Sequence, residues 1–189
     1  MTLNNTLVID LETGGLNPKT DAVCSVSAKK YGEGFKTWYI KPYNKKYNEK
    51  AMQINGLTEE DLKEQGVTTL EFISQFIGFL YNNFDYDETT KKFKQNIKLL
   101  GHNVKFDMGF LRKLLPLYDF YFSYHHKDTM IVAEFLRDAG LFKSSSLSLV
   151  EVYKHLFGED KLTFCAHSSV ADVMMCEKIY KYFIEESIL

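Results

Sequence analysis

The chain has 189 residues, of which 45% are hydrophobic and 25% charged, the balance of a soluble globular protein rather than a disordered or membrane-embedded one, and enough chain for a single substantial core. A net charge of -2 argues against a protein that coats long nucleic acid through a broad cationic face, while leaving room for a small site that grips a strand end. Three cysteines without CxxC spacing, Cys24, Cys165 and Cys176, exclude a disulfide framework and a structural zinc site.

The N-terminal MTLNNTLVIDLE has no basic region and meets two acids before any long apolar run, so neither a signal peptide nor a membrane span is expected and a cytosolic protein is. Thr6 to Leu11 is a short β-branched and apolar run ending at Thr13-Gly14-Gly15, which predicts a buried strand feeding a turn. Ala22 to Lys30 and Phe35 to Lys41, separated by Gly32-Glu33-Gly34, predict a hairpin. Two short helical turns are expected around Asn55-Gly56, with Thr58 before Glu59, Glu60 and Asp61 as a helix start.

A longer helix is predicted from Thr69 to about Tyr81, with Leu70, Ile73, Phe76, Ile77 and Leu80 as its inner stripe. Residues 82–96 are polar and aperiodic, and predict an exposed loop or insertion, the most dispensable part of the chain. Ile97 to Gly101 reads as a strand and Val104 to Leu115 as a helix stopped by Pro116. Further helices are predicted at Thr129 to Arg137, at Leu147 to Phe157 after Ser144-Ser145-Ser146, and at Val170 to Ile184. With 15 Phe and 12 Tyr, aromatic side chains are expected chiefly to fill the core and its rim, with base stacking as the alternative use.

Three elements carry candidate chemistry. Asp10 and Glu12 flank Leu11 at a strand end, where the two-residue period puts both carboxylates on one face. Desolvating two acids there is costly unless a cation sits between them, and a hard divalent metal meets that need; a solvated strand end with two unrelated charges is the plain alternative. Asp107 falls in the first turn of a helix that follows Gly101-His102-Asn103, a place the helix dipole also favours for any acid, and Asn103 also fits a simple N-cap. His167 and Asp172 are five residues apart, which turns a helix by roughly 140°, so His167 is placed on the loop before the last helix; Ser169 and Asp172 also fit a capping pattern.

Asp10-Leu11-Glu12-Thr13-Gly14-Gly15, Asn103 with Phe106-Asp107, and His167 five residues before Asp172 together resemble the DEDDh (DnaQ-like) 3′-to-5′ exonucleases, the family that includes the proofreading subunit of bacterial DNA polymerase III. The resemblance runs from Val8 to about Tyr180, and Ile54-Asn55-Gly56-Leu57-Thr58 and Asp128-Thr129 add weaker marks. Val23-Cys24-Ser25-Val26-Ser27 departs from it, lacking the Glu that many relatives carry near Ser25.

The resemblance implies an α/β, ribonuclease H-like mixed sheet with flanking helices, as one exonuclease domain over residues 1–189. It implies two Mg²⁺ or Mn²⁺ ions held by Asp10, Glu12, Asp107 and Asp172, with Asp10 as the bridging ligand, and His167 as general base because an imidazole titrates near neutral pH. Thr13, Gly14, Leu57, Asn103 and Phe106 are the substrate-contact candidates. The partner implied is a single-stranded or frayed 3′ end, DNA in preference to RNA, with a DNA polymerase subunit as a further candidate partner and a nucleoside 5′-monophosphate as product. An exoribonuclease of the oligoribonuclease or RNase T type, a catalytically idle nucleic-acid- or polymerase-binding module, and a hydrolase of small phosphate esters are the competing readings.

Overall fold

The computed structural model describes residues 3–41 and 46–185, so Met1 and Thr2 of the N-terminal run lie outside it. The central strand β1 (Thr6–Thr13) pairs antiparallel with β2 (Val23–Lys30) and parallel with β6 (Lys98–Gly101). β2 continues to β3 (Phe35–Tyr39) and β6 to β7 (Lys127–Asp128), giving a mixed five-stranded sheet in the order β3-β2-β1-β6-β7. Helices cover both faces, which is why Leu7, Val8 and Ile9 of β1 are apolar in succession rather than alternating with polar residues.

The alternation decides what each face meets. Leu7, Ile9 and Leu11 pack with α3 (Thr69–Asn83) and α4 (Val104–Leu114), whereas Val8 turns the other way to Val173 and Cys176 of α9 (Ser169–Glu185). Asp10 and Glu12 share the parity of Val8. Aromatic side chains fill the α3 face: Trp38 meets Phe72, Phe76 and Phe79 at centroid distances of 5.8, 5.4 and 5.6 Å, and its indole N–H donates to Gln75 at 3.1 Å.

Between β3 and α3 lie α1 (Glu49–Asn55), closed by Gly56 at φ 64, and α2 (Glu59–Gln65), started by a Thr58–Asp61 capping box. Of the stripe expected on α3, Phe76 and Leu80 are buried and Ile73 and Ile77 pack partly buried against the core, while Phe72 joins them in place of Leu70, which is 79% exposed. The helix begins with a Thr68–Glu71 capping box, so Leu70 sits in the first turn, ahead of the part that reaches the sheet.

Residues 82–96 are corrected more substantially. α3 runs on to Asn83, and β4 (Tyr86–Asp87) and β5 (Lys92–Phe93) form a small hairpin whose tip is exposed. Phe84 and Phe93 are buried, Phe93 lying 5.3 Å from Tyr86 and 6.2 Å from Tyr121. Strands of two residues are too short to show a period, and the anchoring comes from isolated aromatic residues, so the polar composition concealed a segment that closes one edge of the core.

The remaining helices are α5 (Tyr118–Tyr121), α6 (Thr129–Asp138), α7 (Leu149–Phe157) and α8 (Lys161–Phe164). α6, α7 and α9 form a second apolar cluster around Ala133, Val152, Tyr153, Met175 and Ile179.

Candidate active site

At the end of β1, Asp10 and Glu12 face the first turn of α9, which carries Asp172. One carboxylate oxygen from each of the three lies within 4.8 Å of the others. Oε1 of Glu12 and Oδ1 of Asp172 are buried without a hydrogen-bond partner among the described residues, an arrangement that is costly unless something cationic satisfies both. Asp107 comes from the opposite helix layer. It is 4% exposed, and its Oδ1 accepts the backbone N–H of Leu11 at 3.0 Å, so it sits beside the three-carboxylate group rather than inside it.

Burial and mutual repulsion push these acids toward their protonated forms. Desolvation, followed by the charges of Asp107, Asp172 and Glu12, raises Asp10 well above the ordinary carboxylate range. Burial first, then Asp172 and Asp107, lifts Glu12 to about 8. Burial raises Asp107 to about 8 against the backbone hydrogen bonds that favour its charged form, and raises Asp172 to about 6 against the His167 charge and a His167 backbone hydrogen bond. Oxygen donors held this way, two of them with unpartnered buried oxygens, fit a hard divalent cation.

The placement of α9 is fixed by its first and third turns. Ser169 lies against β2, its hydroxyl 2.8 Å from Ser27 Oγ and 3.2 Å from Ser25 Oγ, and Ser27 continues to Thr37 at 2.7 Å. Two turns on, Glu177 accepts Lys29 Nζ at 2.5 Å and Gly32 N–H at 2.7 Å. The helix start is supplied by Ser168, whose Oγ accepts Ala171 N–H at 3.3 Å; Ser169, expected as the capping partner of Asp172, is turned inward instead. His167 stands just before the helix at φ 66.

Asn103 occupies the N-cap position of α4 at φ 60 and makes no side-chain cap. Asp128 does that work: its carboxylate accepts Asn103 N–H at 2.9 Å, Val104 N–H at 3.0 Å and Met130 N–H at 3.0 Å, so one acid starts both α4 and α6. The exposed side chain of Asn103 is thereby left available. His102 is held by Thr129 Oγ1 at 2.9 Å and Leu147 O at 2.6 Å, and burial lowers its pKa. Asp128 carries only a weak mark in the sequence and His102 none, because a cap reaching back 24 residues has no local signature.

The Thr13-Gly14 turn is tied into the protein. Thr13 O accepts Asn55 Nδ2 at 3.0 Å, Gly14 N–H donates to Ala22 O at 2.8 Å, and Gly14 O accepts Asn48 N–H at 2.6 Å. A Cβ on Gly14 would lie 2.9 Å from Lys46 O, so the glycine is required by the protein's own chain. Leu57 lines a cavity of about 590 Å³ with Tyr47, Met52 and Gly56. Asp10, His167 and Asp172 open instead into a different cavity of about 610 Å³, bounded also by Leu149, Thr163 and Phe164. Phe106 is half-buried, its ring 5.1 Å from that of Phe110.

Comparison with known proteins fits this geometry. Residues 7–180 match the RNase_T family profile, described as exonuclease. The DNA polymerase III PolC-type of Thermotoga petrophila is 26% identical over 186 residues, 95% of this chain and 12% of the polymerase. The 3′-5′ DNA exonuclease Cap18 of Escherichia coli is 27% identical over 112 residues, 58% of this chain and 56% of that protein. Among solved structures, E. coli Exonuclease I in complex with a dT13 oligonucleotide superposes with a TM-score of 0.76 at 18% identity, over 96% of this chain and 41% of that one. The chain thus spans well under two thirds of these relatives. The shared mixed sheet with flanking helices is the ribonuclease H-like fold expected from the sequence.

Proposed function

The chain belongs to the RNase_T exonuclease family, and from that premise we propose that it shortens single-stranded or frayed DNA from the 3′ end, one nucleoside 5′-monophosphate at a time. The observation that carries this reading is the convergence of Asp10, Glu12 and Asp172, with two buried oxygens lacking partners and Asp107 alongside. Asp10, Glu12, Asp107 and Asp172 would hold Mg²⁺ or Mn²⁺, which when bound supplies charge neutralisation at the scissile phosphate and an acidified water. DNA is favoured over RNA because the PolC-type and Cap18 relatives are named for DNA chemistry.

His167 borders the same cavity as Asp10 and Asp172, from where its imidazole would take the attacking water's proton. Thr13, Gly14 and Leu57 would receive the terminal nucleotide, with Asn103 and Phe106 along the strand. The residues would act as one exonuclease domain, free-standing or docked on a polymerase. The test is incubation with 5′-labelled single-stranded DNA and RNA oligonucleotides in Mg²⁺, Mn²⁺ or EDTA. A metal-dependent ladder shortening from the 3′ end, faster on DNA, is expected; oligonucleotide binding without cleavage would instead favour a binding module.

A further inference from the structure

Phe164 is 81% exposed, among the most exposed large apolar side chains of the described residues, yet the turn that presents it is firmly built. Helix α8 starts in a capping box in which Asp160 accepts Leu162 N–H at 2.9 Å and Thr163 Oγ1 lies 3.1 Å from Asp160 N. Asp160 also accepts the hydroxyl of the fully buried Tyr153 at 2.7 Å, and that hydroxyl in turn accepts Lys178 Nζ at 2.8 Å. An aromatic ring held in water by so well-anchored a turn is a contact surface awaiting a partner.

The cavity it borders says which partner. Phe164 shares its wall with Asp10, His167 and Asp172, and Glu151 adds another carboxylate there. So acidic a lining disfavours a phosphate away from bound cations, whereas the π-face of a nucleobase has no such objection. Leu57 lies in the other cavity. If the terminal nucleotide occupies the Thr13 and Leu57 side, the strand on the far side of the scissile phosphate leaves through the Phe164 cavity.

We propose that Phe164 is a substrate-binding residue that stacks on the base of the penultimate nucleotide, the one that keeps the new 3′ hydroxyl after cleavage. This rests on the exonuclease reading above and deepens it. In this arrangement Phe164 sets affinity for strands longer than one nucleotide and takes no part in bond breaking.

The test is a kinetic cycle in Mn²⁺ with wild type, Phe164→Ala and Phe164→Trp. The substrates are an intact dT oligonucleotide, the same strand abasic at the penultimate position, and the p-nitrophenyl ester of thymidine 5′-monophosphate. Stacking of one base predicts that Phe164→Ala raises KM on the intact strand about tenfold. It leaves kcat unchanged, loses nothing further on the abasic strand, and is rescued by Phe164→Trp. An unchanged KM, or an equal loss on intact and abasic strands, overturns the assignment. Wild-type protein that hydrolyses neither oligonucleotide nor ester fails at the exonuclease reading itself and takes this inference with it, whereas active wild type with an indifferent Phe164 fails at this inference alone.

Discussion

Asp107 Oδ1 accepts the backbone N–H of Leu11 at 3.0 Å, which bonds the acid on α4 to the peptide between Asp10 and Glu12. One carboxylate therefore does two things: it adds negative charge to the site and it fixes the end of the strand that carries the first two acids. Substitution separates the two roles. Asp107→Asn keeps an acceptor for Leu11 N–H and removes the charge; Asp107→Ala removes both and leaves a buried donor unpaired, at about 1–3 kcal/mol. Both variants are expected to lose cleavage. Urea titration should find Asp107→Ala less stable than Asp107→Asn, and equal stabilities would show that the hydrogen bond contributes nothing.

Asp10→Ala and Asp172→Ala should likewise abolish cleavage while leaving the protein folded, because each removes one of several like charges that repel one another. Circular dichroism with the oligonucleotide assay checks both halves; retained cleavage in either variant would overturn the metal assignment.

The raised carboxylates also set a direction for stability against pH. Their folded pKa values lie above the value of about 4 expected in an unfolded chain, so folding favours the protonated forms. The stability they contribute is fully present below about pH 4 and is lost as pH rises through about 6 for Asp172 and about 8 for Glu12 and Asp107. A divalent cation binds the ionised forms and offsets that loss. The gain in Tm on replacing EDTA with Mn²⁺ should therefore grow from about pH 5 to about pH 8. A gain that stays constant across this range would mean that the ion binds elsewhere.

A two-residue period placed Asp10 and Glu12 on one face of a strand, and helix geometry placed His167 on the loop before Asp172, because in both cases the residues are local neighbours; only the family resemblance joined them into one candidate site. The sequence was silent where partners are distant in the chain. Asp128 starting α4, and Ser169 meeting Ser25 and Ser27, join segments that share no pattern. Phe93 passed as part of a polar loop because a single buried ring leaves no periodicity. Phe164 drew no attention among so many aromatic residues, since the sequence does not say which of them remain in water.

Ser169 is one of two anchors, with Glu177, through which α9 finds its position on β2. A Glu at Ser25, which is 1% exposed and pairs across the strands with Glu12, would meet both Ser169 and a like charge, so a hydroxyl there suits this chain. Ser169→Ala removes the shared partner of Ser25 and Ser27 and should cost about 1 kcal/mol in chemical denaturation. A Ser169→Ala protein as stable as wild type would remove the hydroxyl cluster from the account of how Asp172 is placed.

His167 stands at φ 66, a left-handed conformation that Asn tolerates better than most side chains. His167→Asn thus preserves the backbone and a polar side chain while removing the imidazole. Loss of a general base predicts a fall in kcat on the order of 10²-fold or more, with oligonucleotide affinity unchanged and Tm near that of wild type. His167→Ala should show the same kinetic loss, so agreement between the two variants assigns the effect to the imidazole rather than to the backbone. Weaker binding at normal kcat in both would make His167 a substrate contact, and the water's proton would then need another acceptor.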